Sequence, residues 1–129
     1  MANPTTFTPG PWTLETVPTS CGVCHKVGPF PPRRNDESPR HACLYCDYPS
    51  PGNPADDELL ANARLIAAAP ELYEALCDLV DRCGPIVDGL SYDHDPHQYS
   101  SVLVDSLLLI KRAMEDAIQG LAKARGESA

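Results

Sequence analysis

Cys21-Gly22-Val23-Cys24 and Cys43-Leu44-Tyr45-Cys46 hold four of the six cysteines of this chain, with eighteen residues between the two pairs. A two-residue gap lets each pair bend around one metal ion and aim backbone N–H groups at the thiolates. The spacing therefore predicts a four-thiolate zinc knuckle with Cys21, Cys24, Cys43 and Cys46 as ligands. A catalytic zinc keeps an open position, whereas four thiolates close the coordination sphere, so the expected Zn2+ is structural. His25 or His41 in place of one cysteine is the alternative ligand set, and two disulfides or free thiols are the alternative chemistry.

Eleven of the fourteen prolines precede residue 56. Proline lacks an amide donor and fixes φ, which argues against a long helix or a regular sheet here and leaves loops, turns and short strands. Such a segment buries little surface. Zinc binding, worth roughly 10–16 kcal/mol in apparent terms, would staple it. Ahead of the cysteines, Trp12-Thr13-Leu14-Glu15-Thr16-Val17 alternates apolar and polar residues, the period of a half-buried strand that Trp12 would anchor to the core. Behind them, Pro49-Ser50-Pro51-Gly52-Asn53-Pro54 reads as a turn or linker.

After residue 55 the pattern becomes helical. A first helix is predicted over Ala55–Ala69, with Asp56, Asp57 and Glu58 at its N-terminus and Leu59, Ala63 and Ile66 on one face. Pro70 suits the first turn of a second helix, whose apolar face is Leu72, Leu76, Leu79, Val80 and Cys83 and which Gly84-Pro85 should end. Residues 84–97 then form a loop. A third helix, from about Gln98 to Arg125, carries Leu103, Leu107, Ile110, Met114, Ala117 and Leu121 at intervals of three or four. Helices two and three should pair as an antiparallel hairpin. Val102, Val104, Leu108, Leu109 and Ile118 widen the apolar stripe of the third helix beyond what one neighbour covers, which points to a homodimer through the helical part. The expected fold is thus α+β: a β/zinc-knuckle module over 1–55 packed on a three-helix part over 56–129.

Charge follows the same division. Residues 1–55 balance Lys26, Arg33, Arg34 and Arg40 against Glu15, Asp36, Glu37 and Asp47, so the whole net charge of −8 falls in residues 56–129. This disfavours wholesale nucleic-acid binding, which relies on neutralising phosphates. A local basic patch remains: Arg33, Arg34 and Arg40 lie between the cysteine pairs, where they could contact a partner, a nucleic acid or a nucleotide, or form a solvated loop balanced by Asp36 and Glu37. No apolar run reaches the ~18 residues of a membrane span. Met1-Ala2-Asn3-Pro4 lacks the plan of a secretory signal, so a reducing cytosol is expected, where Cys-x-x-Cys pairs more often bind metal than form disulfides.

Asp93-His94-Asp95-Pro96-His97 has the composition of a second metal cluster but sits in a loop, and Asp95-Pro96 equally fits a turn into the third helix. Cys77 and Cys83 read as small apolar packing residues of the second helix. No catalytic triad, phosphate-cradling glycine loop or dinucleotide fingerprint is evident, so no enzyme is expected.

Thr8-Pro9-Gly10-Pro11-Trp12 and Asn62-Ala63-Arg64-Leu65-Ile66-Ala67-Ala68-Ala69-Pro70-Glu71-Leu72-Tyr73-Glu74-Ala75-Leu76 resemble two segments of a group of small tailed-phage and prophage proteins. Tyr73 stands where that group has leucine, and the four-cysteine segment is an addition to its usual pattern. The resemblance implies a phage or prophage origin, action in the host bacterial cytoplasm, and a compact N-terminal β segment leading into helices. The expected function is a non-enzymatic accessory protein that binds and inhibits a host factor, in the manner of an anti-CRISPR or other anti-defence protein. The alternatives are a zinc-dependent nucleic-acid-binding regulator using Arg33, Arg34, Arg40 and Lys26, and a nucleotide-sequestering oligomer.

Overall fold

Three antiparallel strands, β1 (Thr13–Pro18), β2 (Gly22–Phe30) and β3 (Arg40–Asp47), precede three helices, α1 (Pro54–Ala67), α2 (Ala69–Tyr92) and α3 (Ser101–Ala124). This computed structural model describes residues 6–92, 101–125 and 127, the side chains of 90–92 and 101–102 excepted. The α+β class follows as expected. The composition shift suggests a boundary near residue 56, but one compact unit spans Phe7–Leu72 and so includes α1, while the other takes in the helices from Tyr73 onward.

In the first unit the strands form a meander in the order β1-β2-β3. Leu14 pairs with Val27 and Thr16 with His25 across β1–β2; His25 pairs with Leu44 and Val23 with Cys46 across β2–β3. Side chains alternate between faces along a strand, so Leu14, Thr16, Val23, His25, Val27, Leu44 and Cys46 share one side. Helix α1 packs against all three strands. Val27 and Ala63 are fully buried, and Cys46 nearly so. His25, the buried polar residue of this core, has its Nδ1 2.8 Å from Thr16 Oγ1. The prolines do not prevent a sheet, contrary to expectation, because of where they fall. Pro18 ends β1, Pro29 sits in the irregularity between Val27 and Phe30, and Pro31, Pro32 and Pro39 lie outside the strands; at such positions the missing amide costs no ladder bond.

Helix α1 begins with local chemistry that its sequence carries. Asn53 caps it, its side chain accepting from Ala55 N–H at 3.0 Å, and Pro54 occupies the first turn. Helix α2 opens at Ala69, with Pro70 in its first turn as expected, but it does not stop at Gly84-Pro85. It continues to Tyr92 with Pro85 inside it. Proline disfavours the helical conformation of the preceding residue partly by clashing with its Cβ, and Gly84 has none. Met114 of α3 would lie 3.8 Å from a Cβ at that position, so α3 lies against the weak point.

Within the second unit, two contacts set the register of α2 on α3. Gly84 faces Met114, and Arg125 Nη1 donates to Tyr73 Oη at 3.4 Å. Tyr73 lies eleven residues before Gly84, and Arg125 eleven after Met114, so the helices run antiparallel as the predicted hairpin. Val87 and Leu121 are buried between turns that the 3.6-residue period brings inward. Cys77 and Cys83 are half-buried and free. No described helix is long and apolar enough to cross a membrane. The Asp93–His97 cluster lies outside the described residues.

Candidate functional site

Strand geometry decides where the four sulfurs between residues 21 and 46 go. In a knuckle each Cys-x-x-Cys bends around the metal; here Cys24, Cys43 and Cys46 are strand residues. Residues three apart along a strand point to opposite faces. Cys43 therefore projects away from the core while Cys46 projects into it. Cys24 lies opposite Tyr45 and Cys43 opposite Lys26, which makes Cys24 and Cys43 diagonal neighbours on the outer face. Their Cα atoms are 5.9 Å apart and they are joined as a disulfide. Gly22 lies so close to the Cys46 carbonyl that a Cβ there would collide with it, so only glycine allows β2 to approach β3 this closely at its start.

Cys46 is buried, and its Sγ donates to Asp56 Oδ1 at 2.9 Å. Asp56 Oδ2 accepts from Ser50 N–H, also at 2.9 Å. One carboxylate thus ties the end of β3, the linker and the first turn of α1 together. The hydrogen bond to Asp56, then burial and the negative charges of Asp56 and Asp47, push the Cys46 thiol above its ordinary pKa. The same bond, with that from Ser50 N–H, holds Asp56 below the ordinary carboxylate value against an opposing effect of desolvation. Cys21, by contrast, is exposed and free.

These positions overturn the expected zinc knuckle. Cys21, Cys24, Cys43 and Cys46 do not converge: the disulfide takes two sulfurs out of play, and Asp56 keeps a third protonated where a metal needs thiolate. Among the described residues no group of three or more His, Cys, Asp or Glu side chains could hold a metal ion. Neither histidine replaces a cysteine, since His25 is engaged with Thr16 in the core and His41 is exposed.

The three arginines separate into two roles. Residues 31–39 connect β2 to β3, and Glu37 N–H bonds Arg34 O at 3.0 Å to close a turn at the tip. Arg40 Nε donates to Pro31 O at 2.8 Å across the neck, so this guanidinium holds the loop. Arg33 and Arg34 are exposed and form no ion pair or side-chain hydrogen bond among the described residues. Below the neck, the Cys24–Cys43 disulfide fastens the two strands that carry the loop. The result is a fixed hairpin that presents two neighbouring forked cations.

The model of the family described as Salmonella phage P22 protein Y8K6 matches residues 1–128 of the chain. The chain belongs to that family. Its matched span includes the sheet with its cysteines, the arginine loop and all three helices. The phage connection expected from the sequence is therefore shown at the level of the family, though the match singles out neither of the two motifs. No curated protein and no solved structure matches.

Sequence reasoning missed the Cys46–Asp56 pair. Asp56 reads as one of several acidic residues at a helix N-terminus, and nothing local marks it as the partner of a residue ten positions earlier.

Proposed function

We propose that this phage-family protein acts by binding, not catalysis, and that it engages and blocks a host protein through the β2–β3 loop, the target class being a component of bacterial defence. The observation that carries the reading is the exposed Arg33–Arg34 pair, which forms no ion pair among the described residues, on a loop held at its neck by Arg40 and below it by the disulfide. Preorganisation lowers the ordering cost of association. A guanidinium fork matches a carboxylate bidentately, and such contacts strengthen as the interface excludes water. The net charge of −8 lies outside this half of the chain and repels a long polyanion, so the pair suits a protein that offers carboxylates locally.

The test uses the full chain and its Arg33→Ala/Arg34→Ala variant to capture host proteins, with Arg82→Ala as a control that removes another exposed arginine. A specific partner should be retained by the wild type and by Arg82→Ala, and the purified partner should bind the double variant at least tenfold more weakly. Equal binding by all three proteins would remove the loop from the interface. In a defended host, expression of the wild type but not of the double variant should raise phage plating.

A second reading rests on the same pair of arginines, because phosphate fits the guanidinium fork as well as carboxylate does. It is nucleic-acid binding without zinc. Binding to DNA or RNA that weakens steeply with salt and disappears in Arg33→Ala/Arg34→Ala would favour it; no binding at low salt would eliminate it.

A further inference from the structure

Helix α3 meets α2 at Met114, which faces Gly84, and just past its end at Arg125, which bonds Tyr73; Leu121, buried, lies on the same side of α3. At about 100° per residue, Asp105, Leu108, Leu109 and Arg112 fall on the opposite side. All four are exposed, Leu108 at 60% and Leu109 at 66%, and together they line a shallow depression of about 380 Å³. Two adjacent leucines this exposed are costly on a surface at roughly 25 cal/mol per Å² of apolar area. Among the described residues neither Asp105 nor Arg112 forms an ion pair. They are seven positions apart, two turns of helix, which is beyond the reach of an i, i+4 pair.

We infer that the occupant of this stripe is the same stripe on a second copy of the chain, the two α3 helices crossing antiparallel. The order charge, leucine, leucine, charge is symmetrical about the midpoint between Leu108 and Leu109, except that the two charges are opposite. A two-fold axis through that midpoint sets Leu108 of each copy against Leu109 of the other. It also sets each Asp105 against the opposite Arg112, giving two attractive contacts at the ends of an apolar centre. A parallel arrangement would oppose like charges, so the stripe is self-complementary in the antiparallel sense. This is the isologous pattern of a closed dimer, in which residue i meets j and j meets i. Charged ends around desolvated leucines also fix the register. The inference is independent of what the β2–β3 loop binds.

Sedimentation equilibrium of the full chain over a concentration series tests it. The wild type should approach twice its chain mass of 13.9 kDa as concentration rises. Asp105→Arg and Arg112→Asp each turn both attractive contacts repulsive and should weaken dimerisation tenfold or more. The double reversal Asp105→Arg/Arg112→Asp restores complementarity across the axis and should bring the dimer back to within a few-fold of wild type. Matching helical circular dichroism for all four proteins confirms that the substitutions leave the fold intact. The proposal is overturned by a wild type that stays monomeric, by a dimer that neither single reversal weakens, or by single reversals that the double one fails to rescue.

Discussion

Gly10 lies directly against Pro70: a Cβ at residue 10 would sit 2.8 Å from the Cβ of the Pro70 ring, which is itself fully buried. The contact locks the segment before β1 onto the start of α2. Trp12 completes the lock. Its ring meets Phe30 edge-on at 5.1 Å and Phe7 at 6.4 Å, and its Nε1 donates to Thr8 O at 3.0 Å. The proline-glycine-proline-tryptophan opening and the alanine-proline-glutamate-leucine turn, remote in sequence, thus form parts of one packed corner.

Gly10→Ala should therefore destabilise the first unit by about 1–3 kcal/mol, the usual penalty for overpacking a site whose neighbour is a rigid ring. Gly120→Ala makes the opposite prediction. Among the described residues nothing lies within 4 Å of a Cβ at that position in α3, so alanine should stabilise by about 0.5–1 kcal/mol through helix propensity. Urea midpoints of the two variants should move in opposite directions from wild type.

The Cys46–Asp56 bond gives stability a defined pH window. Asp56 has a folded pKa below its unfolded value, so its contribution is complete above the unfolded carboxylate pKa and is lost as pH falls through the folded one. Cys46 has a folded pKa above its unfolded value, so its contribution is complete below the unfolded thiol pKa and is lost as pH rises through the folded one. Denaturation curves from about pH 3 to about pH 10, which bracket the ordinary values, should show both limbs. Cys46→Ala should flatten the alkaline limb, and Asp56→Asn the acid limb.

Arg40 and the Arg33–Arg34 pair should separate folding from binding. Arg40→Ala removes the bond to Pro31 O at the loop neck and should cost about 0.5–1.5 kcal/mol. Arg33→Ala/Arg34→Ala removes no side-chain bond among the described residues and should stay within about 0.5 kcal/mol of wild type. Thermal melts of the two proteins, read by the tryptophan signal of the first unit, distinguish these outcomes.

Helical periodicity made α1 and α3 legible to within a few residues, and the alternation of Trp12 and Leu14 with Thr13 and Glu15 marked β1. Gly84-Pro85 misled because punctuation rules treat the pair as a stop, whereas a glycine before proline removes the Cβ clash that disfavours helix at the residue preceding a proline. The cysteines misled for a different reason. Cys-x-x-Cys reads as a metal loop only if the backbone bends, and the competing signal was present: Val23, His25 and Val27, and again Ala42, Leu44 and Cys46, alternate with the period of strands. A strand places Cys24 and Cys43 on one face and Cys46 on the other. Asp56 and the Gly10–Pro70 contact were not legible, because each depends on which distant element the fold brings alongside.

The first unit is built on a hairpin cross-linked by Cys24–Cys43, with Cys46 held as a buried thiol. Removing a cross-link between residues nineteen apart should cost about 3 kcal/mol in the chain-entropy model, so reduction should lower the stability of the first unit. The most direct measurement is peptide mapping by mass spectrometry after alkylation of the native protein, purified without chelator and paired with elemental analysis. The predicted result is one Cys24–Cys43 linked peptide, rapid alkylation of Cys21, alkylation of Cys46 only after unfolding, and no bound metal. All four cysteines unlinked and jointly protected by one equivalent of zinc would contradict it.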